Sequence, residues 1–206
     1  MDGVQKRKHH WRTSLDNLSH YVRVYDNAFS PAFCNFLIEQ YEKQKDEFNT
    51  ARVSEHEWEF DYRSFEEVNI CAEDVYKPYL TQYYDRIKEV YRQYAKDLNS
   101  PYLPNDAKLE SARLKKYENN DIDQFGWHTD VNDSESAKRF LVMFTYLNDV
   151  SEGGETEFES KSEEGFTVQP KCGRIVVFPP MWMFPHKGKK PISNPKYILS
   201  TYLHYE

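Results

Sequence analysis

The chain has 206 residues, a formal net charge of -7, 39% hydrophobic and 16% aromatic residues. This length predicts one domain, with a core built from Phe, Tyr and Trp more than from aliphatic side chains. The acidic charge disfavours nucleic-acid binding, which relies on Lys and Arg to displace counterions from phosphate.

The first residues carry a short basic stretch, KRKHH, and no apolar segment that could act as a signal peptide. We interpret residues 1–20 as a flexible basic tail. No apolar run is long enough to span a bilayer, and the three cysteines are far apart with no Cys-x-x-Cys pair. We therefore expect an intracellular, soluble (cytoplasmic) protein without disulfides or a cysteine zinc site.

Residues 21–43 predict a strand, a turn and a helix in that order. Residues 21–25 alternate in the manner of a strand. Ser30 followed by Pro31 is a typical helix start, with an N-cap residue and then Pro at the first helical position. Apolar side chains then recur at helical spacing up to residue 43.

A second long helix is predicted over residues 73–98, where apolar side chains recur at the same spacing. The intervening residues 49–70 are polar and aromatic and follow no clear period. We predict a mobile surface segment there, and it contains Arg63.

Beyond residue 105 the sequence changes to short strand-like runs separated by turn residues. Two helices followed by many short antiparallel strands predict an α+β domain whose β part is a sandwich or a jelly roll. We expect one domain over residues 1–206, with a strand and supporting helices in 21–105 and the β core in 106–206. The predicted strands cover residues 109–117, 140–147, 155–158, 166–168, 174–178 and 197–205.

The stretch FGWHTDV places His128 and Asp130 on either side of one residue. Alternate positions of an extended segment point the same way, so both side chains can face one point. A single His-x-Asp motif also arises by chance, and the alternative is a loop histidine beside a solvent-facing aspartate.

A third candidate ligand is His186, in FPHKG. Two imidazoles and one carboxylate form the 2-His-1-carboxylate triad, which leaves open positions on Fe(II). By itself His186 could equally be a hydrogen-bonded core histidine.

Lys196 lies ten residues after His186, at the start of the last predicted strand. If the two segments are neighbouring strands, Lys196 reaches the same cavity. A buried lysine needs an anionic partner, and a dicarboxylate cosubstrate would be one. The alternative is a solvent-exposed lysine in a lysine-rich loop.

Five stretches, in this order, resemble the Fe(II)/2-oxoglutarate-dependent dioxygenases, and among them the prolyl 4-hydroxylase-like branch. They are KKYENNDIDQFGWHTD, FLVMFTYLNDVSEGGETEF, VQPKCGRIVVFP, FPHKG and KYILSTYLHY. The resemblance implies a jelly roll of the double-stranded β-helix type, with N-terminal helices packed on one sheet. It also implies Fe(II), 2-oxoglutarate and O₂ as cofactors, ascorbate as a candidate reductant, and succinate and CO₂ as coproducts.

The same resemblance implies roles for individual residues. The iron ligands would be His128, Asp130 and His186. Lys196 would pair with the distal carboxylate of 2-oxoglutarate, Tyr117 would donate its hydroxyl to that carboxylate, and Tyr146 falls where relatives place another cosubstrate-contacting aromatic residue.

Three residues are candidates for substrate contact. Arg63 resembles an arginine that collagen-type enzymes carry near the substrate, although a surface arginine is an equal alternative. Trp127 and Trp182 adjoin the predicted ligands and could line the substrate mouth, or belong to the core.

Three functions therefore stay open on the sequence. The first is a hydroxylase acting on a prolyl residue of a protein or peptide. The second is a small-molecule hydroxylase, for example of a free amino acid, which would need a closed pocket with a charge partner for the substrate carboxylate. The third is a non-catalytic jelly-roll binding module.

Overall fold

The computed structural model describes residues 18–48, 50–55, 62–159 and 166–205. Most of the predicted basic tail therefore lies outside the described residues, as do the segments 56–61 and 160–165. Within the described ranges, two α-helices pack on one extensively curled β-sheet. No helix in these ranges is both long and apolar enough to cross a lipid bilayer.

The helices and strands have the following bounds. The α-helices are α1 (Pro31–Gln44) and α2 (Lys77–Asp97). The strands are β1 (Arg23–Tyr25), β2 (Ala51–Glu55), β3 (Arg63–Asn69), β4 (Lys108–Leu109), β5 (Arg113–Tyr117), β6 (Gln124–His128), β7 (Arg139–Tyr146), β8 (Thr156–Phe158), β9 (Phe166–Val168), β10 (Ile175–Phe178), β11 (His186–Gly188) and β12 (Lys196–His204).

The sheet has the strand order β1-β10-β7-β12-β5-β3-β6-β11-β8-β9, with β2 beside β3 and β4 beside β12. Every pairing between these strands is antiparallel. The sheet curls into a half-barrel, so side chains from distant strands meet in its interior. The predicted α+β jelly-roll fold is thus confirmed.

Helix α1 begins as its sequence predicts. The Ser30 hydroxyl accepts a hydrogen bond from the Phe33 backbone N–H at 3.2 Å, and Pro31 occupies the first helical position. This satisfies one of the donors that a helix N-terminus leaves unpaired. Helix α1 therefore begins at the residue that the Ser-Pro pair predicts.

The two faces of the sheet carry different cores. Strand β7 shows the division, because its alternate residues point to opposite faces. Leu141 and Met143 pack in the larger core with the two helices, and Val142, Phe144 and Tyr146 pack inside the curl. The helices therefore cover the outer face and leave the inner face to form a site.

The prediction of a mobile surface segment over residues 49–70 is wrong for the described part of that range. β3 is paired with β2, β5 and β6, and its Phe65 and Val68 are buried. The polar side chains that obscured this strand have partners: the Tyr41 hydroxyl donates to Glu66 at 2.6 Å, and Lys115 pairs with Glu67 at 3.5 Å. The N-terminal part of the chain therefore supplies strands to the sheet as well as helices.

Other element bounds differ by a few residues from the predictions. Residues 74–76 form a 3-10 turn ahead of α2, and Tyr21 ends a short 3-10 turn ahead of β1. The predicted strand 109–117 divides into β4 and β5, with residues 110–112 between them. The Glu110 backbone N–H donates to the Tyr202 carbonyl at 2.9 Å, and its carboxylate accepts a hydrogen bond from Arg139.

Candidate metal centre and cosubstrate cavity

Strands β6 and β11 bring the two candidate histidines together. His128 ends β6, His186 begins β11, and the antiparallel register pairs these two residues directly. Asp130 follows β6, and its backbone N–H donates to the carbonyl of Pro180 at 3.1 Å. Although His186 lies 56 residues after Asp130 in the chain, the three side chains offer ligand atoms that all lie within 4.8 Å of one another.

The tautomers of both imidazoles follow from their hydrogen bonds. The Nδ1 of His128 lies 2.8 Å from the carbonyl oxygen of Gly126, and the Nδ1 of His186 lies 3.1 Å from that of Phe184. A carbonyl only accepts, so each Nδ1 carries a proton, and in the neutral ring each Nε2 then presents a lone pair. These Nε2 atoms lie 3.6 and 3.7 Å from the two carboxylate oxygens of Asp130.

The protonation states also favour metal binding. Burial, with the neighbouring His128, lowers the pKa of His186 to about 4, so this imidazole is neutral at neutral pH. Burial acts to raise the pKa of Asp130, but the two histidines and the Tyr202 hydroxyl outweigh it and hold the pKa below its ordinary value. The site therefore offers the neutral imidazole of His186 and the carboxylate of Asp130 beside the Nε2 of His128.

One buried atom of this cluster has no partner. Asp130 Oδ2 accepts no hydrogen bond from any described residue, and an unpaired buried carboxylate oxygen is costly. A divalent cation bound between Oδ2 and the two Nε2 atoms would remove that cost. The donor set thus fits Fe(II), for which two imidazoles and one carboxylate on one face are characteristic.

A polar network holds Asp130 in this orientation. The Tyr202 hydroxyl donates to Asp130 Oδ1 at 2.9 Å. The guanidinium of Arg139 stacks 3.9 Å from the centre of the Tyr202 ring and donates to the Asp130 backbone carbonyl at 3.3 Å. Arg139 also forms a two-point ion pair with Glu110, at 2.6 and 2.9 Å, and His204 bonds to the same carboxylate. The sequence motifs did not indicate this network, because its members lie on four separate segments.

We expect Tyr202→Phe to weaken Fe(II) binding by roughly tenfold to a hundredfold, the usual effect of removing a group that orients a metal ligand. The change removes the hydroxyl from Asp130 and keeps the ring beneath Arg139. Titration with Fe(II), or with Co(II) followed by its visible spectrum, measures the effect without relying on turnover. Tyr205→Phe, which alters an exposed tyrosine three residues later, is the matched control. Equal affinity of the Tyr202 variant and the parent would show that Asp130 needs no such support.

Lys196 occupies the other end of the cavity that contains these ligands. Its side chain is almost fully buried, and Nζ donates to the carbonyls of Gly154 at 3.0 Å and Lys189 at 3.3 Å. Nζ also lies 4.4 Å from the centre of the Tyr117 ring, because β12 pairs Lys196 directly with Tyr117. Burial lowers the pKa of Lys196 to about 7, and Glu155 acts in the opposite direction.

The expected route by which Lys196 reaches the cavity is wrong. The segments of His186 and Lys196 are not neighbouring strands, since β5, β3 and β6 lie between β12 and β11 in the sheet. The curl of the sheet brings them face to face across its interior instead. The closeness of β12 and β11 is seen at Gly188, where an added Cβ atom would lie 3.5 Å from the Nζ of Lys196.

Tyr146 also lines this cavity and is fully buried. Its hydroxyl donates to the carbonyl of Val168 at 3.1 Å and lies 2.6 Å from the Thr156 hydroxyl. A phenol has one proton, so Thr156 donates in the second contact. The role of Tyr146 in contacting a cosubstrate stays a prediction.

The three candidate substrate residues have different positions. Arg63 lines the groove outside the metal centre and lies 5.9 Å from the centre of the Phe125 ring, which itself stacks on His128 at 3.4 Å. Trp127 instead lies beneath Lys187, whose Nζ is 4.5 Å from its ring centre, and Trp182 is 76% exposed. Neither tryptophan is among the described residues that line the cavity or the groove.

An open groove connects the candidate metal centre with solvent. It has a volume of about 830 Å³ and is lined by polar and charged residues of β3, β5, β12 and the segment 129–139. His128 and Asp130 belong to both the groove and the inner cavity. Lys196 lines the cavity but not the groove, so a ligand in the groove contacts His128 and Asp130 without contacting Lys196.

Comparisons with known proteins agree with this geometry. Residues 112–204 match the sequence model of the 2OG-Fe(II) oxygenase superfamily, a range that contains the three ligands and Lys196. No curated protein matches the chain. Cofactors of the superfamily are Fe(II), 2-oxoglutarate and O₂.

Several solved structures are similar to the chain in fold. One is a prolyl hydroxylase from Trichoplax adhaerens in complex with a peptide fragment of the hypoxia inducible factor oxygen degradation domain. Its TM-score with this chain is 0.70 at 13% sequence identity, and the match covers 90% of this chain and 84% of the hydroxylase. A Pseudomonas putida prolyl-4-hydroxylase has a TM-score of 0.64 at 14% identity, and the match covers 91% of this chain and 94% of that enzyme. The viral collagen prolyl hydroxylase of Paramecium Bursaria Chlorella virus-1, in complex with 2OG, has a TM-score of 0.60 at 19% identity. The match covers 90% of this chain and 97% of that enzyme.

Proposed function

We propose that this chain, a member of the 2OG-Fe(II) oxygenase superfamily by its residues 112–204, hydroxylates a prolyl residue of a protein or peptide. The observation that carries the proposal is the open groove of about 830 Å³ that leads to the metal centre. A free amino acid would be favoured by an enclosed pocket, whereas an extended peptide requires a groove. The similarity to peptide-bound and other prolyl hydroxylases in fold supports the same choice.

In this proposal His128, Asp130 and His186 hold Fe(II) on one face, and Lys196 with Tyr117 receives the distal carboxylate of 2-oxoglutarate. When bound, the metal supplies the O₂-dependent decarboxylation of 2-oxoglutarate to succinate and CO₂ and the conversion of a substrate C–H to C–OH. The protein positions the groups and excludes water.

The cavity lining supports these tasks. The apolar side chains of Val142, Phe144 and Ile198 line the space between the ligands and Lys196. Because they leave little room for water, the charges of Lys196 and Asp130 act through a medium of low dielectric constant. The side of the metal centre that faces the groove is then left to the substrate.

The experiment is incubation of the purified protein with Fe(II), 2-oxoglutarate and ascorbate, together with three substrate sets: proline-containing peptides, the same peptides with alanine for proline, and free amino acids. We expect a mass gain of one oxygen atom on the proline peptides, with one succinate formed per hydroxylation. Hydroxylation of free amino acids alone would favour the small-molecule function. Absence of both metal binding and succinate would favour the binding module.

A further inference from the structure

Strand β5 presents a row of side chains that runs from the groove into the cavity. Arg113, Lys115 and Tyr117 occupy alternate positions and face the same side. Tyr117 lies deepest, beside Lys196. Lys115 lines both the cavity and the groove, whereas Arg113 lines the groove alone. The two cations therefore lie on the path by which a substrate approaches the metal centre.

These two cations share a single carboxylate. The register of β3 and β5 pairs Glu67 with Lys115, and Glu67 lies 3.5 Å from the lysine Nζ and 3.8 Å from the Arg113 guanidinium. Both distances are longer than a charge-assisted hydrogen bond. Arg113 and Lys115 form one wall of the groove. With Glu67 as their shared partner, this wall carries an excess positive charge among the described residues, in a chain whose formal net charge is -7.

The neighbouring lysine shows how the chain neutralises a structural cation. Lys116 points to the other side of β5 and lies 2.8 Å from Glu42 and 2.6 Å from Glu118. It has two carboxylates at hydrogen-bond distance, whereas Lys115 and Arg113 have one between them at longer range. An anion bound from the groove would complete their pairing.

Lys115 is held firmly enough to act as a recognition group. Its side chain is only 12% exposed, and its Nζ lies 5.0 Å from the Phe65 ring centre and 5.8 Å from that of Phe125. Contact with two aromatic faces stabilises the ammonium and restricts its motion. Restriction of this kind lowers the entropic cost of binding a ligand.

We propose that the wall formed by Arg113 and Lys115 binds a carboxylate of the substrate, so that the preferred peptide carries an acidic group close to the hydroxylated residue. This rests on the proposed peptide substrate. The carboxylate could come from an Asp or Glu side chain or from a peptide C-terminus, since the recognising chemistry is the same. Complementary charge of this kind contributes specificity and faster association.

Equilibrium binding of fluorescent proline peptides, followed by anisotropy with Fe(II) and 2-oxoglutarate in the absence of O₂, tests the proposal. The peptides share one amidated sequence and differ only in having Glu, Gln or Lys at a position flanking the proline, on either side. A fourth peptide carries Gln and a free C-terminal carboxylate. We expect the Glu peptide to bind about tenfold more tightly than the Gln peptide at low salt, with a smaller difference at high salt.

Variants assign the preference to the wall. Arg113→Gln and Lys115→Gln should each reduce the Glu-over-Gln preference to about threefold or less, and Arg113→Glu should favour the Lys peptide. Lys138→Gln, which removes a cation from another part of the groove lining, should keep the parent's preference. A parallel 2-oxoglutarate titration of Lys115→Gln shows whether this residue instead serves the cosubstrate.

Each outcome decides between the two proposals. Equal binding of all four peptides, or a preference that survives in Arg113→Glu, overturns the carboxylate site. Hydroxylation of proline peptides without an acidic preference overturns this inference alone. An acidic preference without hydroxylation overturns the proposed function alone. Tighter binding only of the peptide with the free carboxyl group assigns the site to a C-terminus.

Discussion

Asp130→Ala is expected to abolish measurable Fe(II) binding at micromolar metal and to reduce succinate formation to background. The substitution removes the only carboxylate of the proposed ligand set and leaves the two imidazoles of His128 and His186. Fe(II) affinity should fall by more than the roughly hundredfold loss that follows when a group orienting a ligand is removed. Metal titration, followed by the visible absorption that 2-oxoglutarate gives with bound Fe(II), measures both steps.

A further variant separates charge from shape at this position. Asp130→Asn keeps the side-chain volume and an oxygen for the Tyr202 hydroxyl, and it should still lose most of the Fe(II) affinity because the negative charge is gone. Asp85→Ala, on the exposed side of α2, is the control for loss of a carboxylate elsewhere. Thermal unfolding of all three establishes that they are folded. Full metal affinity in the folded Asp130→Ala protein would exclude the carboxylate as a ligand.

The stability of the folded protein should also depend on the metal. Asp130 is a buried carboxylate with one unpaired oxygen, and such a group costs free energy in the absence of a cation. Added Fe(II) should therefore raise the midpoint of thermal unfolding of the parent, and Asp130→Ala should remove that stabilisation.

The sequence predicted the parts of the site that depend on short spacing or on a strong local pattern. His128 and Asp130 lie two residues apart, so their meeting needs only an extended backbone. Helix α1 was predicted closely because Ser30 and Pro31 mark its start. Strand β7 was visible because its apolar run covers both faces of the sheet.

The parts that were missed depend on pairing between distant segments. β3 was taken for a surface segment because the charges of Glu66 and Glu67 hide its period, and only the partners on α1 and β5 make their burial tolerable. The hydrogen bond from Tyr202 to Asp130 depends on how β12 and the segment after β6 lie relative to each other in the folded sheet, which the sequence does not specify. The position of Lys196 opposite β11 follows from the curl of the whole sheet, which no local pattern specifies.

Lys196→Met is expected to weaken 2-oxoglutarate binding by roughly a hundredfold or more, since it would leave the distal carboxylate buried and unpaired. The lysine has three N–H donors, and two of them already meet the carbonyls of Gly154 and Lys189. The remaining donor and the positive charge are therefore available to an anion. Lys189→Met is the matched control, because its Nζ pairs with Glu157 at 3.0 Å outside the cavity.

Binding should also take up a proton, and this identifies Lys196 specifically. Burial lowers the pKa of Lys196 to about 7, so at pH 8 the free protein holds it mostly as the neutral amine. An arriving carboxylate favours the ammonium, which raises the pKa and draws a proton from buffer. Calorimetry in buffers of different ionisation enthalpy should show uptake approaching one proton at pH 8 and much less at pH 6, where the lysine is already charged. Lys196→Met should show none at either pH, whereas equal uptake in the parent and in this variant would assign the proton to another group.

The lowered pKa of Lys196 also determines how the free energy of unfolding of the free protein changes with pH. Between pH 7 and the ordinary lysine pKa of 10.5, the unfolded chain binds a proton that folded Lys196 does not. Stability from this group therefore rises with pH across that window and is lowest below pH 7, where the folded protein must bury the charged form. Urea unfolding of the parent and Lys196→Met at pH 6.5 and pH 9 measures the difference: the variant should gain stability relative to the parent, and gain more at the lower pH. A gain that is the same at both pH values would mean that Lys196 does not titrate in this range, and the cavity would then already hold it as a cation before 2-oxoglutarate binds.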